Sequence, residues 1–100
     1  MTNSELHWWF CRYNRKYFGG KLPAAKVKFS KLADGLLGEM YHGENEIYVT
    51  KDLRKWPRSA RFTLFHEMAH LKLGAAVNHG PSFEREMLRL AKAGAFKGIW

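Results

Sequence analysis

Several features that mark other classes of protein are absent from this sequence. It has one cysteine, Cys11, so an internal disulfide is excluded and a reducing compartment is favoured. No apolar run approaches the roughly 20 residues that a membrane-spanning helix needs. Residues 1–5 have neither the basic nor the apolar region of a secretory signal. We therefore expect an intracellular, cytoplasmic protein that does not associate with membranes.

Acidic residues are in the minority. Nine Asp and Glu stand against 17 Lys and Arg, which gives a formal net charge of +8. This charge is high for such a short chain and favours association with polyanions, so DNA is a candidate partner. The alternative is an ordinary solvated surface, because net charge describes non-specific binding and does not identify a function.

The apolar content is high enough to form a packed core. Hydrophobic residues make up 46% of the chain and aromatic residues 15%, which excludes a disordered protein. The chain has 100 residues, with no internal repeat, low-complexity tract or linker. We therefore predict a single domain over residues 1–100, with a small core.

The most informative stretch is the H-E-x-x-H motif at residues 66–70. Residues four apart on an α-helix share a face, so His66 and His70 can bind one metal ion. Glu67 points to the side, where it can reach a metal-bound water. The stretch of residues 61–74 around the motif is apolar on nearly every side, so the helix that contains it is expected to be buried. Buried polar groups need partners, and a metal ion would supply one.

A third ligand is expected from the residues that follow the motif. Gly74 ends the predicted helix, and residues 75–78 turn the chain back towards the metal face. His79 is the preferred ligand, because it lies in a turn before the last helix. Glu84 and Glu86 are the alternatives and would give a His₂Glu site. Three neutral imidazoles leave a fourth position for water, which is the arrangement of a catalytic zinc site.

Periodicity predicts an α+β fold in which the helix that contains H-E-x-x-H, called the active helix here, covers one face of a sheet. Strands that follow one another locally are expected to form an antiparallel sheet. Gly38 in the second strand indicates a bulge or a close backbone approach. The predicted elements are a helix from Ser4 to Gly19, strands over 26–30, 36–41 and 46–50, the active helix from Pro57, and a closing amphipathic helix from Pro81 to Gly94.

Two groups of residues resemble a known family. The H-E-x-x-H motif at 66–70, followed by His79-Gly80-Pro81-x-Phe83, resembles the SprT-like (SprT/Spartan) zinc metalloproteases, and residues 14–23 resemble that family's N-terminal helix and turn. The resemblance covers the chain from the first helix to Phe83. It implies a minimal zincin-like core. Many members add a zinc ribbon of paired C-x-x-C motifs, which a sequence with one cysteine does not contain.

The arrangement predicts a zinc-dependent endopeptidase. Zinc held by His66, His70 and His79 lowers the pKa of a bound water to about 7. Glu67 is the expected general base: it accepts the proton of that water and passes it to the departing amine. The resemblance implies a protein or peptide substrate, paired in extended form with a sheet edge, and DNA-associated or DNA-crosslinked proteins as targets.

Two other functions remain open from the sequence. One is a non-catalytic basic domain that binds DNA and uses zinc structurally, for which Glu67 beside the metal is not needed. The other is a peptidase whose activity does not depend on nucleic acid.

Further residues are candidates for supporting roles. His42, Tyr41 and Tyr48 are candidates for stabilising the negatively charged oxygen that forms during hydrolysis. The basic residues are candidates for a rim that holds a DNA-bound target, with a solvated charged surface as the alternative. They are Lys26, Lys28, Lys51, Arg54, Lys55, Arg58 and Arg61.

Overall fold

The computed structural model of this chain describes residues 1–75 and 79–99. Within these residues the elements follow the predicted order of helix, three strands, helix and helix, and the α+β prediction is confirmed. None of the described helices is both long and apolar enough to cross a membrane. The elements are α1 (Asn3–Tyr17), β1 (Lys26–Ser30), β2 (Gly38–Tyr41), β3 (Glu46–Thr50), a 3₁₀ helix (Lys51–Lys55), α2 (Pro57–Leu73) and α3 (Pro81–Lys92).

The three strands form a mixed sheet in the order β1-β3-β2. β3 is antiparallel to β2 but parallel to β1, so the prediction of a wholly antiparallel sheet is wrong for the β1–β3 pair. Ile47 and Val49 of β3 are fully buried, as suits a central strand. The seven residues 31–37 can span up to about 25 Å. The two edge strands, β1 and β2, are only about 10 Å apart. The segment between them is therefore long enough to pass from one edge of the sheet to the other, which leaves the central place to β3.

Helix α1 begins with a capping box. The Thr2 hydroxyl accepts a hydrogen bond from the Glu5 N–H at 3.1 Å, and the Glu5 carboxylate accepts one from the Thr2 N–H at 2.9 Å. The N-cap is therefore Thr2, two residues before the Ser4 suggested by the sequence. One face of α1 packs on α2, where Tyr13 stacks on Phe65 with 3.9 Å between ring centroids.

Asn14 closes the turn that follows α1. Its backbone carbonyl accepts hydrogen bonds from the N–H groups of Phe18 and Gly20, at 3.1 and 2.8 Å. Its side chain accepts from the Leu22 N–H at 3.1 Å and donates to the Leu22 carbonyl at 3.4 Å. The asparagine in the N-terminal motif thus satisfies the backbone of the turn, which is a structural role.

Helix α2 lies against β2 and β3 and also contacts α1 and α3. Pro57 occupies its start as predicted, and Gly74, with φ of 90°, donates its N–H to the His70 carbonyl at 3.0 Å. Eight of the 17 residues of α2 are buried, so the predicted burial of this helix is confirmed. Of the turn predicted over residues 75–78, residues 76–78 lie outside the described residues.

Helix α3 packs on α2 through apolar contacts and an ion-pair network. Phe83 and Leu90 are buried. The buried Glu86 accepts hydrogen bonds from Lys72 of α2 at 2.7 Å and from Arg89 of α3 at 2.6 and 2.8 Å. The network holds α3, and the segment that precedes it, in place against α2. The residues after α3 also contribute buried side chains to the core, namely Ala95, Phe96 and Ile99.

Candidate active site

Three histidine side chains meet beside α2. His66 and His70 lie one turn apart on that helix, and His79 approaches from the segment before α3. The Nε2 atom of His79 is 3.1 Å from Nε2 of His66 and 2.9 Å from Nε2 of His70. One ligand nitrogen of each histidine lies within 4.8 Å of the other two. The three histidines are therefore positioned to bind a metal ion.

The chemistry of this donor set fits zinc. Zn–N bonds are about 2.0–2.1 Å long, and tetrahedral angles then separate two ligand nitrogens by about 3.3 Å. Two of the three separations, 2.9 and 3.1 Å, are slightly shorter than that value, and all three nitrogens lie within 4.8 Å of one another. Three imidazoles also leave one tetrahedral position open, as a catalytic site requires.

Burial favours the neutral form of two of these imidazoles. Burial, followed by the charges of His66, His79 and His42, lowers the pKa of His70 to about 4. Burial, followed by the charge of His79, also lowers the pKa of His66. Both rings are therefore uncharged near neutral pH. A neutral imidazole has the free lone pair that a metal ion needs.

Phe83, in the first turn of α3, packs against all three imidazole rings. Its ring centroid lies 4.8 Å from that of His66, 4.6 Å from His70 and 4.9 Å from His79. Such packing holds the rings in the orientation that directs their nitrogens to one point. The motif after His79 contains Phe83, but the sequence does not reveal this role. The one sequence feature that pointed to this role is that Phe83 follows His79 by four residues, in the first turn of the next helix.

Glu67 lies beside the histidines. It is 5% exposed, and it shares a pocket of about 250 Å³ with His66, His70 and His79. Burial, followed by the negative charge of Glu39 on β2, raises the pKa of Glu67 to about 7. Among the described residues, Glu67 forms no ion pair with a lysine or arginine. A carboxylate in this setting can accept or release a proton near neutral pH.

Gly38, the first residue of β2, lets the sheet approach Glu67 closely. A Cβ atom at this position would lie 2.8 Å from Glu67 Oε2 and 2.8 Å from Thr63 Cγ2. Both separations are well inside van der Waals contact, which for carbon atoms is about 3.5–4.0 Å. Any larger side chain would therefore displace the carboxylate or the strand. The sequence indicates a close approach at Gly38 but does not show that its neighbour is Glu67.

Comparison with known families decides which proteins this chain is related to. A family model described as the SprT-like family matches residues 6–98. The chain belongs to the SprT-like family. The matched range includes Glu67, Phe83 and the three histidines, and it confirms the resemblance inferred from the motifs. No match was found among curated proteins. SprT-like membership and a cluster of three histidines are together compatible with a metalloprotease.

Three residues of the SprT-like chain are candidates for stabilising the negatively charged oxygen of hydrolysis, and one of them lies at the site. His42 lines the pocket that Glu67 shares with the histidines. Tyr41 and Tyr48 instead pack against each other, with 5.4 Å between ring centroids. Tyr48 lies between the buried residues Ile47 and Val49 of β3 and, because side chains alternate along a strand, faces away from α2. His42 is therefore the candidate that the fold places near Glu67 and the three histidines.

The alternative third ligands do not join the histidines. Glu86 is occupied by its ion pairs with Lys72 and Arg89, and Glu84 is exposed on α3. Within the described part of the SprT-like chain, the group that can hold a metal ion is His66, His70 and His79.

The basic residues proposed as a rim do not line the histidine pocket in the described residues. Lys26 and Lys28 belong to β1, at the edge of the sheet opposite to β2. Arg61 lies between α1 and α2, where its guanidinium stacks 3.9 Å from the Trp9 ring centroid and donates to the Tyr13 hydroxyl at 2.6 Å. The 3₁₀ helix precedes the N-terminal end of α2, whereas His66 and His70 lie in the C-terminal half of α2.

Proposed function

We propose that this SprT-like protein is a zinc-dependent endopeptidase. The observation that carries the proposal is the convergence of three imidazole nitrogens next to a buried carboxylate in one pocket. A structural zinc site has four protein ligands and needs no carboxylate beside it. Here three histidines form the described ligand group, and Glu67 lines the same pocket, which supports its proposed role as general base.

The chain's own residues have distinct parts in hydrolysis. His66, His70 and His79 would hold the ion. When bound, zinc supplies a Lewis acid that polarises the substrate carbonyl and makes water easier to deprotonate. Glu67 accepts a proton from the attacking water while the water oxygen bonds to the carbonyl carbon. It then gives that proton to the nitrogen that leaves as the C–N bond breaks.

His42 has a separate part in this proposal. The carbonyl oxygen gains negative charge as water adds, and a hydrogen-bond donor placed there stabilises that charge. His42 lines the same pocket as Glu67 and interacts electrostatically with His70. We assign the donor to His42 on that basis.

An extended substrate would pair with the free edge of β2. β2 is an edge strand, and its residues Gly38, Glu39 and Met40 line the histidine pocket. The opposite edge is partly occupied, because the Phe29 N–H of β1 donates to the Asn3 side chain at 2.9 Å. Strand addition at β2 would bring a peptide carbonyl over the histidines and Glu67.

The substrate class and the metal can be tested together. Zinc content is measured for wild type and Glu67→Gln, and both proteins are then assayed for cleavage of casein. We expect both to bind about one zinc and only wild type to cleave, with activity removed by a chelator and restored by zinc. If both proteins bind zinc and neither cleaves, the protein is a structural zinc domain and the proposal is wrong.

DNA-associated proteins are the proposed substrates, supported by the net charge of +8 and by family membership. Single-stranded DNA added to the assay should stimulate cleavage of a DNA-binding protein. The stimulation should fall steeply with salt, because binding to phosphates releases counterions. Activity unchanged by DNA and by salt identifies a peptidase without a nucleic-acid preference.

A further inference from the structure

A second pocket adjoins the candidate active site. It has a volume of about 240 Å³, and it shares His66, Glu67 and His79 with the histidine pocket. Pockets that enclose a drug-sized ligand usually have volumes of about 300–1,000 Å³, so this pocket is smaller than they are. The pocket is therefore of the size that receives one side chain rather than a whole small molecule.

The remaining wall of this pocket is apolar. Leu36, Leu37 and Phe62 are its large side chains, Thr63 adds one hydroxyl, and no lysine or arginine is among the described lining residues. Leu36 and Leu37 are 44% and 59% exposed. Large apolar side chains left exposed beside a reactive site indicate a surface that a partner covers. An aspartate side chain placed here would lose water and meet Glu67, a group of the same charge. A lysine side chain would find Glu67 as its one carboxylate among the described lining residues, and that carboxylate is the proposed general base.

The leucines are held by backbone hydrogen bonds. The Leu36 N–H donates to the Ala33 carbonyl at 3.1 Å, and the Leu37 carbonyl accepts from the Thr50 N–H of β3 at 2.8 Å. The second bond ties the loop directly to the central strand. The pocket therefore exists before a substrate arrives, and binding does not have to order the loop.

We propose that this pocket receives an apolar side chain of the substrate, from the residue next to the bond that is cut. The position follows from the shared walls, because a peptide over His66 and Glu67 places a neighbouring side chain beside them. The enzyme then prefers leucine, methionine or phenylalanine at that residue. The inference rests on the proposed peptidase function, and its tests separate the two.

The first test uses two peptide series. Each series varies one of the two residues that flank the cleaved bond, through Leu, Ala, Asp and Lys. At one of the two positions, kcat/KM of the zinc-loaded wild-type chain should be about 10-fold or more higher for Leu than for Ala. It should be lower still for Asp and Lys. Equal kcat/KM values for Leu and Asp at both positions would overturn the pocket while leaving the peptidase intact.

The second test changes the wall of the pocket. Leu37→Lys places a cation among the apolar side chains, so the preference should move from Leu towards Asp by about 10-fold. Leu36→Lys is a second variant with the same expectation. Leu88→Lys is the matched control, since Leu88 is 53% exposed and lies on α3, outside the pocket lining. Identical profiles for Leu37→Lys and Leu88→Lys would contradict the proposal.

A binding measurement keeps this inference separate from catalysis. The zinc-loaded Glu67→Gln chain is titrated with the same peptides in a calorimeter. The Leu peptide should bind about 10-fold or more tightly than the Asp peptide, and Leu37→Lys should remove that difference. If wild type cleaves nothing, the peptidase proposal fails. The pocket still stands or falls on the binding ratio, and equal binding of the two peptides overturns it.

Discussion

Two buried glutamates, Glu67 on α2 and Glu86 on α3, are each 5% exposed, yet their surroundings differ. Glu86 forms ion pairs with Lys72 at 2.7 Å and Arg89 at 2.6 Å. Burial alone would raise the pKa of Glu86, but hydrogen bonds from Arg89 and Lys72 outweigh burial and lower it. Burial, followed by the negative charge of Glu39, raises the pKa of Glu67 to about 7.

The difference separates a structural carboxylate from the one that we propose as the general base. Glu86 joins α2 to α3 and has its hydrogen-bonding needs met within the protein. Glu67 instead lines a pocket together with three histidines, and it lies so close to Gly38 that a Cβ atom at that position would meet its carboxylate. A buried carboxylate without a cation lowers the stability of the metal-free fold. Such a cost is typical of catalytic sites.

Glu67→Gln provides the strongest test of this comparison. The amide keeps the shape of the side chain but cannot accept the proton, so peptidase activity should fall about 10²–10⁴-fold. Zinc content should not change. The thermal midpoint of the metal-free protein at pH 8 should be equal or higher, because a buried charge is removed. The measurements are kcat/KM, zinc content and thermal unfolding. A marked loss of stability would show that Glu67 is a structural carboxylate like Glu86.

Gly38→Ala tests whether close packing positions Glu67. The added Cβ would displace the carboxylate or the strand, and a displacement of about 1 Å can reduce activity by up to about 100-fold. Gly43→Ala is the matched control, since a Cβ at Gly43 has no neighbour within 4 Å. We expect kcat to fall in the first variant and to stay near wild type in the second. Equal activities would mean that Gly38 does not position Glu67.

Glu86→Gln tests the structural half of the comparison. Loss of both ion pairs should reduce the free energy of unfolding by about 1–3 kcal/mol, measured with urea. The lower part of the range is favoured, because Lys72 and Arg89 are 40% and 41% exposed and water can solvate them. Glu84→Gln, on the exposed side of the same helix, is the control and should change stability by less than about 0.5 kcal/mol.

The pH dependence of stability should show the same ion pairs. The pKa of Glu86 is lower in the folded than in the unfolded protein, where it is near 4.5. Its contribution is therefore present above pH 4.5 and is lost as the pH falls through the folded-state value. The stability difference between wild type and Glu86→Gln, measured on metal-free protein from pH 6 to 3, should shrink as pH decreases. A difference that does not change with pH would exclude an ionised Glu86.

Local spacing made much of the site predictable. His66 and His70 share a helix face because they are four residues apart, and Pro57, Gly74 and Pro81 indicate the helix ends. A shared helix face and a helix end each depend on only a few neighbouring residues, so both can be predicted from the local sequence. His79 was inferred from its place in a turn, and the structure brings its Nε2 within 3.1 Å of His66.

Long-range packing accounts for what the sequence did not predict. β3 occupies the centre of the sheet although it is the last strand along the chain, and it pairs in parallel with β1. The contacts of Phe83 with the histidines, and of Gly38 with Glu67, join residues 13 or more positions apart, except for the neighbouring His79. No local pattern reports such contacts.

The chemical groups of the candidate site can be read from the amino-acid order, because helical periodicity places His66, Glu67 and His70 within about one turn. The fold alone settles which of two buried glutamates receives cations and which faces the histidines. It also settles that β2 is the edge beside them. Those outcomes depend on how distant segments share one small core, and that packing is a property of the whole chain.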